Sequence, residues 1–210
     1  MAGNDKTVVL VTGGTGFVGS HCVRRLLSDG YRVKATVRDL QNEKRNAPLK
    51  ALDPSGARLE LVQAELLDKE CWPKAVEGCT YVLHVASPFP LSRPDDPDVL
   101  IRPALEGTRN VINAAVAEKG VKRVALVSSC AAVFPGHEEE ITYFDETVWA
   151  STDLKQEGVS PYTASKTLAE KEAWKLVEET AKTGRNLELS TVCPGLIFGP
   201  ALTKDFSSAE

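Results

Sequence analysis

Several things are scarce in this sequence of 210 residues, and each scarcity excludes something. Positive charge is not in excess. The 25 Lys and Arg stand against 29 Asp and Glu, for a net charge of -4, so no basic field exists for nucleic acid or an anionic membrane. Trp72, Trp149 and Trp174 are too scattered to form a stacking platform for bases. No apolar run nears the roughly 18 residues that a membrane-spanning helix needs. The opening "MAGNDK" is polar and runs straight into a strand pattern, without the apolar core of a secretory signal. Cys22, Cys71, Cys79, Cys130 and Cys193 include no CxxC pair and have no histidine at ligand spacing. That argues against a structural metal or a disulfide framework, and a reducing, cytoplasmic setting is expected. Internal repeats and low-complexity segments are lacking too.

What is present is a regular alternation. With 42% hydrophobic residues the chain can bury a full core, and one domain over 1–210 is expected. Short β-branched runs at 7–12, 31–37, 59–62, 80–86, 123–129 and 187–193 read as six strands. Between them, Phe17, Val18, Cys22, Val23, Leu26 and Leu27 recur at helical spacing, with Gly30 where a helix would end. Helices are also expected near 42–52, 68–77, 98–119 and 160–182. This βα alternation predicts a parallel sheet covered on both faces. Two long connections, 87–97 and 130–160, would leave the carboxyl ends of strands, where open α/β sheets bind ligands.

The stretch "VTGGTGFVGSH" at 11–21 follows the first strand and opens the first helix. Gly13 permits a tight turn, Gly16 lets backbone approach a pyrophosphate, and Gly19 lets the helix pack on the strand. The helix N-terminus adds free N–H groups and the positive end of a dipole. "TVRD" closes the second strand, with Arg38 the first residue past it. An arginine here accommodates the 2′-phosphate of NADP, whereas a carboxylate would bind the ribose diol of NAD. NADP is therefore preferred over NAD, and Lys44 and Arg45 add positive charge nearby. A one-residue change of register would put Asp39 beside the ribose instead.

In "SPYTASKTLAEKEAWKL", Ser160 is an expected N-cap and Pro161 the first helical residue, which sets Tyr162 and Lys166 one turn apart on one face. A phenol is a poor acid or base at neutral pH, and a cation at Lys166 would favour its ionised form. Ser128 and Ser129 stand at the carboxyl end of the fifth strand, and Ser129 is the candidate donor to a substrate oxygen. His84, inside an apolar strand, reads as a hydrogen-bonded core residue. His21 and His137 receive no role, and "HEEE" at 137–140 reads as a solvated loop. Cys130 reads as a small packing residue, and Trp149 as either core or a pocket wall.

Taken in order, "TGGTGFVG", Ser129, "YTASK" and "CPGLIFGP" resemble the extended short-chain dehydrogenase/reductase family, within the NAD-dependent epimerase/dehydratase superfamily. "KATVRD", "AELLD", "VLHVASPFP" and "SKTLAEKEAWK" look most like its dihydroflavonol 4-reductase, cinnamoyl-CoA reductase and aldehyde reductase branch. The resemblance implies a Rossmann-type doubly wound sheet of order 3-2-1-4-5-6 and a catalytic Ser129, Tyr162 and Lys166. Gly13, Gly16 and Gly19 would hold the pyrophosphate, with backbone from Thr15, Phe17 and Val18. Arg38 would meet the 2′-phosphate, Glu65 and Leu66 the adenine, and Val85, Ala86 and Ser87 the ribose and pyrophosphate. Pro194 would lie beside the nicotinamide, and Tyr162 and Lys166 by its ribose.

The sequence also departs from the family. Glu65 replaces the more frequent Asp, and the "NWYC" signature of cinnamoyl-CoA reductases is absent. Pro103 stands where many members carry a polar residue. Cys130 and Ala131 replace the acid/base pair of sugar-nucleotide dehydratases. Members usually continue well past the "PG" segment into a substrate-binding lobe, so with the sequence ending at Glu210 that lobe is expected to be largely absent. The resemblance implies an NADP-dependent oxidoreductase acting on a small carbonyl or alcohol. Two other readings stay open: an epimerase or hydroxysteroid dehydrogenase of the same family, or a catalytically impaired dinucleotide-binding or redox-sensing protein.

Overall fold

Valine-rich runs form all six expected strands, in a computed structural model that describes residues 4–89, 94–136 and 143–202. They are β1 (Val8–Val11), β2 (Arg32–Val37), β3 (Leu59–Gln63), β4 (Tyr81–His84), β5 (Arg123–Val127) and β6 (Glu188–Val192). Every pair is parallel and the order is β3-β2-β1-β4-β5-β6, the doubly wound arrangement that the alternation implied. The order reverses between β1 and β4, which opens a crevice at their carboxyl ends. His137 and the acidic run to Glu140 lie outside the described residues.

The main helices are α1 (Phe17–Ser28), α2 (Glu43–Lys50), α3 (Trp72–Val76), α4 (Asp98–Ala117) and α5 (Pro161–Ala181). Local chemistry explains their limits. Gly30, with φ +87°, follows the end of α1, and the Asn42 side chain accepts the Arg45 N–H at the start of α2. Ser160 accepts the Thr163 N–H at the start of α5, with Pro161 as its first residue. The helix expected over 68–77 contracts to Trp72–Val76. The Asp68 carboxylate accepts the Glu70 N–H and its carbonyl the Cys71 N–H, so the first part is a turn.

The expectation of a sheet covered on both faces holds for only half of it. One core joins α1 and α2 to β1, β2 and β3 through Val23, Leu27, Val33, Ala35 and Leu49. The other joins α3, α4 and α5 to the opposite face through Trp72, Val82, Val111, Val124, Leu126 and Ala173. Crossovers between parallel strands are right-handed, so the three that lead from β3 to β6 all fall on this second side. Among the described residues no helix lies over β4 to β6 on the first side. Ala125 and Val127 are only half-buried there, and Glu188, Ser190 and Val192 are exposed. A cavity of about 630 Å³ opens at the amino ends of these strands, lined by Tyr31, Tyr81, Leu83 and Arg123 among others. No described helix is long and apolar enough to cross a membrane.

Candidate active site

The turn after β1 is built from three glycines that close approach requires. Gly13 has φ +69°, which an L side chain rarely adopts. A Cβ on Gly19 would stand 2.1 Å from the Gly13 carbonyl oxygen, so α1 rests directly on the turn. A Cβ on Gly14, which the three-glycine pattern did not single out, would stand 2.8 Å from Ala35 Cβ. Thr36 holds the turn from β2: its hydroxyl accepts the Gly13 N–H at 2.9 Å and its carbonyl the Gly14 N–H at 2.9 Å. Gly16 is the N-cap of α1, and no side chain caps that end. A glycine-rich turn leading into an uncapped helix N-terminus fits a pyrophosphate, because backbone N–H groups and the helix dipole both favour an anion there. Thr15 lies in this turn, and Phe17 and Val18 are the first two residues of α1.

Thr12, just before the glycines, ties the turn to β4. Its buried hydroxyl accepts the N–H groups of Val85 and Ala86, each at 2.9 Å, and stands 2.9 Å from His84 Nδ1. A hydroxyl has one proton and two lone pairs, so the remaining O–H donates to His84. Nδ1 is therefore unprotonated, and the Nε2 proton faces Thr108 Oγ1 at 3.5 Å. Complete burial pushes His84 down to about 3, with the Lys166 charge adding to the effect. His84 is thus a neutral core histidine. A Cβ on Gly13 would meet Ala86 Cα at 3.2 Å, so Ala86, held with Val85 by Thr12, lies alongside the glycine turn.

Beyond β2 a cavity of about 250 Å³ is lined by Thr15, Arg38, Asp39, Asn42 and Arg45 among others. Asp39 turns its carboxylate to the Gln41 N–H at 2.8 Å. Lys44 is not among the lining residues, while its neighbour Arg45 is. Past β3, Glu65 is exposed and Leu66 is half-buried. Asn110 Nδ2 donates to the Leu66 carbonyl at 2.8 Å, and a Cβ on Gly107 would stand 2.7 Å from the Leu66 side chain.

At the carboxyl end of β5, Ser129 N-caps a short 3-10 turn and its hydroxyl accepts the Ala131 N–H at 3.1 Å. Cys130 N–H donates to the Pro194 carbonyl at 3.0 Å, which holds Pro194 against this segment. The Ser129 hydroxyl lies near the Tyr162 phenol, and Lys166 Nζ lies 5.7 Å from the Tyr162 ring centroid. Sequence reasoning expected Lys166 to lower the phenol. Instead burial raises Tyr162 above its usual value, and the nearby Ser129 hydroxyl only partly offsets this. Lys166 is itself buried, and that burial pushes it down to about 8 against the opposing pull of Glu170 and Cys193.

Three contributors escaped the sequence reading. Thr12 and Thr36 looked like ordinary strand residues, and only their positions beside the glycines signalled more. Phe89, 52% exposed, meets the Tyr162 ring edge-on at 5.5 Å between centroids. Its one signal was an aromatic side chain in a Pro-rich loop after β4. Trp149 stands half-buried under Lys171 Nζ, 5.2 Å from its ring centroid. His21, which had no role, has Nε2 2.9 Å from the Pro200 carbonyl and so fastens the segment after β6 to α1.

The model of the NAD dependent epimerase/dehydratase family matches residues 9–208. Tetraketide alpha-pyrone reductase 1 of Arabidopsis thaliana is 40% identical over 206 residues, 97% of this chain and 61% of that protein. Cinnamoyl-CoA reductase CAD2 of Medicago truncatula is 41% identical over 201 residues, 95% and 60% of the two chains. The yeast methylglyoxal/isovaleraldehyde reductase Gre2, solved as its NADPH complex, superposes with a TM-score of 0.80 at 28% identity. That match covers 93% of this chain and 59% of that one. The chain thus spans about 60% of the length of the relatives it matches.

Proposed function

Because the chain belongs to the NAD dependent epimerase/dehydratase family, we propose that it is an NADP-dependent oxidoreductase reducing an aldehyde or ketone to an alcohol, or running the reverse. In this reading residues 1–210 form one dinucleotide-binding domain. The observation that carries it is the convergence of Ser129, Tyr162 and Lys166 at the carboxyl end of β5, where Lys166 Nζ lies 5.7 Å from the Tyr162 ring and the Ser129 hydroxyl is near enough to the phenol to oppose the effect of its burial. Reductases among the relatives, and NADPH in the Gre2 complex, support the same assignment.

Gly13, Gly16 and Gly19 would seat the pyrophosphate, with Thr15, Phe17 and Val18 around it. Arg38 would hold the 2′-phosphate, with Arg45 and Lys44 behind it. Glu65 and Leu66 would flank the adenine, and Val85, Ala86, Ser87 and Pro194 the nicotinamide half. When bound, NADPH supplies the hydride for the carbonyl carbon. Tyr162 gives its proton to the carbonyl oxygen, a task that suits a phenol whose burial keeps it protonated. Ser129 orients that oxygen, and Lys166 places positive charge behind the phenol as negative charge develops.

The test is NADPH oxidation with a panel of aromatic and aliphatic carbonyls. Tyr162→Phe should cost about 10²- to 10⁴-fold, the usual contribution of a general acid. Arg38→Ala should weaken NADPH much more than NADH. Absence of turnover with every carbonyl at saturating NADPH refutes the reductase reading. Dinucleotide binding without turnover is the second reading, favoured by one observation: Phe89, which meets the Tyr162 ring, is itself 52% exposed among the described residues.

A further inference from the structure

The most deeply placed charge near the candidate site has no part in the mechanism above. Glu170 is only 5% exposed, in the middle of α5, although a carboxylate is almost never buried without a partner. Its two hydrogen-bond partners are weak, neutral donors from different elements. Trp174 Nε1 donates to Oε1 at 3.3 Å from the next turn of α5, and Cys193 Sγ donates to Oε2 at 3.7 Å from the end of β6. These contacts fix the carboxylate in place and leave its charge uncompensated. One turn in the other direction lies Lys166, 7% exposed, with no ion pair among the described residues. Tyr162, Lys166, Glu170 and Trp174 therefore follow one another at four-residue intervals along one stripe of α5.

We propose that Glu170 is a positioning residue for Lys166: its anchored, buried carboxylate keeps the Lys166 ammonium charged and directed along the helix towards Tyr162. The catalytic consequence rests on the reductase reading above, but the electrostatic relation does not. The groups facing Lys166 are Tyr162 and Glu170 on α5, His84 from β4 and Cys193 after β6. His84 is neutral, so Glu170 is the fixed negative charge of this set. An ammonium removed from water loses its proton more readily, and a nearby anion restores it. Removing the Glu170 charge therefore moves the Lys166 midpoint down from about 8, towards neutrality.

The experiment reads that midpoint directly, from the 13Cε shift of Lys166 against pH in the full chain labelled with 13C-lysine and assigned through Lys166→Arg. Glu170→Gln should lower the midpoint by about a unit or more, so that the fraction charged at neutral pH falls from about nine-tenths to about half or below. Glu170→Asp keeps the charge and should stay closer to wild type than Gln does. With a carbonyl that turns over, the Gln variant should lose kcat/KM on the alkaline side while approaching wild type near pH 6. An unmoved midpoint, or equal shifts for Asp and Gln, overturns the proposal. So does activity lowered by one constant factor at every pH. If no carbonyl is reduced, the reductase reading fails while the titration still decides the role of Glu170. If the Gln variant does not fold, by circular dichroism, the Asp variant decides alone: a midpoint more than a unit below wild type overturns the proposal.

Discussion

Thr12→Val is nearly isosteric, so it opens little cavity and isolates the work of one hydroxyl. In the wild type that oxygen satisfies Val85 N–H, Ala86 N–H and His84 Nδ1, all at 2.9 Å. Valine leaves all three without a partner. An unsatisfied buried group costs about 1–3 kcal/mol, and the two amides are only part-buried, so about 1 kcal/mol each and about 3 kcal/mol in total is the expected loss. For a chain of this size that corresponds to a fall in Tm of roughly 6–12 °C. Thr12→Ser, which keeps the hydroxyl, should recover most of it. Thermal unfolding by circular dichroism of the three proteins, without cofactor, makes the comparison. A valine variant within about 1 kcal/mol of wild type would refute the hydrogen-bond accounting, and with it the assigned tautomer of His84.

Two further outcomes follow from the same region. Gly19→Ala places a methyl 2.1 Å from the Gly13 carbonyl oxygen, and backbone cannot give way as a side chain would. It should destabilise by about 3 kcal/mol, the upper end of ordinary overpacking, and abolish thermal stabilisation by NADPH; Gly16→Ala, which meets that oxygen only at 3.2 Å, is the milder control. His84 titrates near 3 in place and near 6.5 when unfolded, so between these values the unfolded chain binds the extra proton and stability falls as pH falls. Urea midpoints from pH 7 to pH 4 should drop more steeply in wild type than in His84→Gln, by up to about 1.4 kcal/mol per pH unit, and equal slopes would contradict a neutral buried imidazole.

Periodicity was enough for the sheet because short β-branched runs bounded by turn residues, such as "TVVLVT" and "RVALVSS", favour strands whether one face or both are covered. It failed at 68–77, where Asp68 competes for local N–H groups and apolar spacing alone says nothing about side-chain acceptors. The glycine turn and the Tyr162 and Lys166 pair could be proposed from the sequence because their spacing matches a strand-to-helix turn and one helical turn, and Ser129 because it closes the fifth strand. Thr12, Thr36 and Glu170 were not, since each acts through partners far away in the chain: Val85 and Ala86, Gly13 across from β2, and Cys193. The direction of the Tyr162 shift was also hidden. It depends on how much water the folded site excludes, which no spacing records.

The half-covered sheet also shapes the thermodynamic response of the molecule. Unfolding changes the heat capacity mainly through apolar surface newly exposed to water, and the denaturant slope follows the same area. On the first side of β4 to β6, Val192 is already wet and Ala125 and Val127 partly so. The described residues consequently have less hidden area to release per residue than a sheet of this order covered throughout. The stability curve is correspondingly flatter with temperature, so a given loss in free energy changes less between 10 °C and 40 °C than the chain length alone would imply.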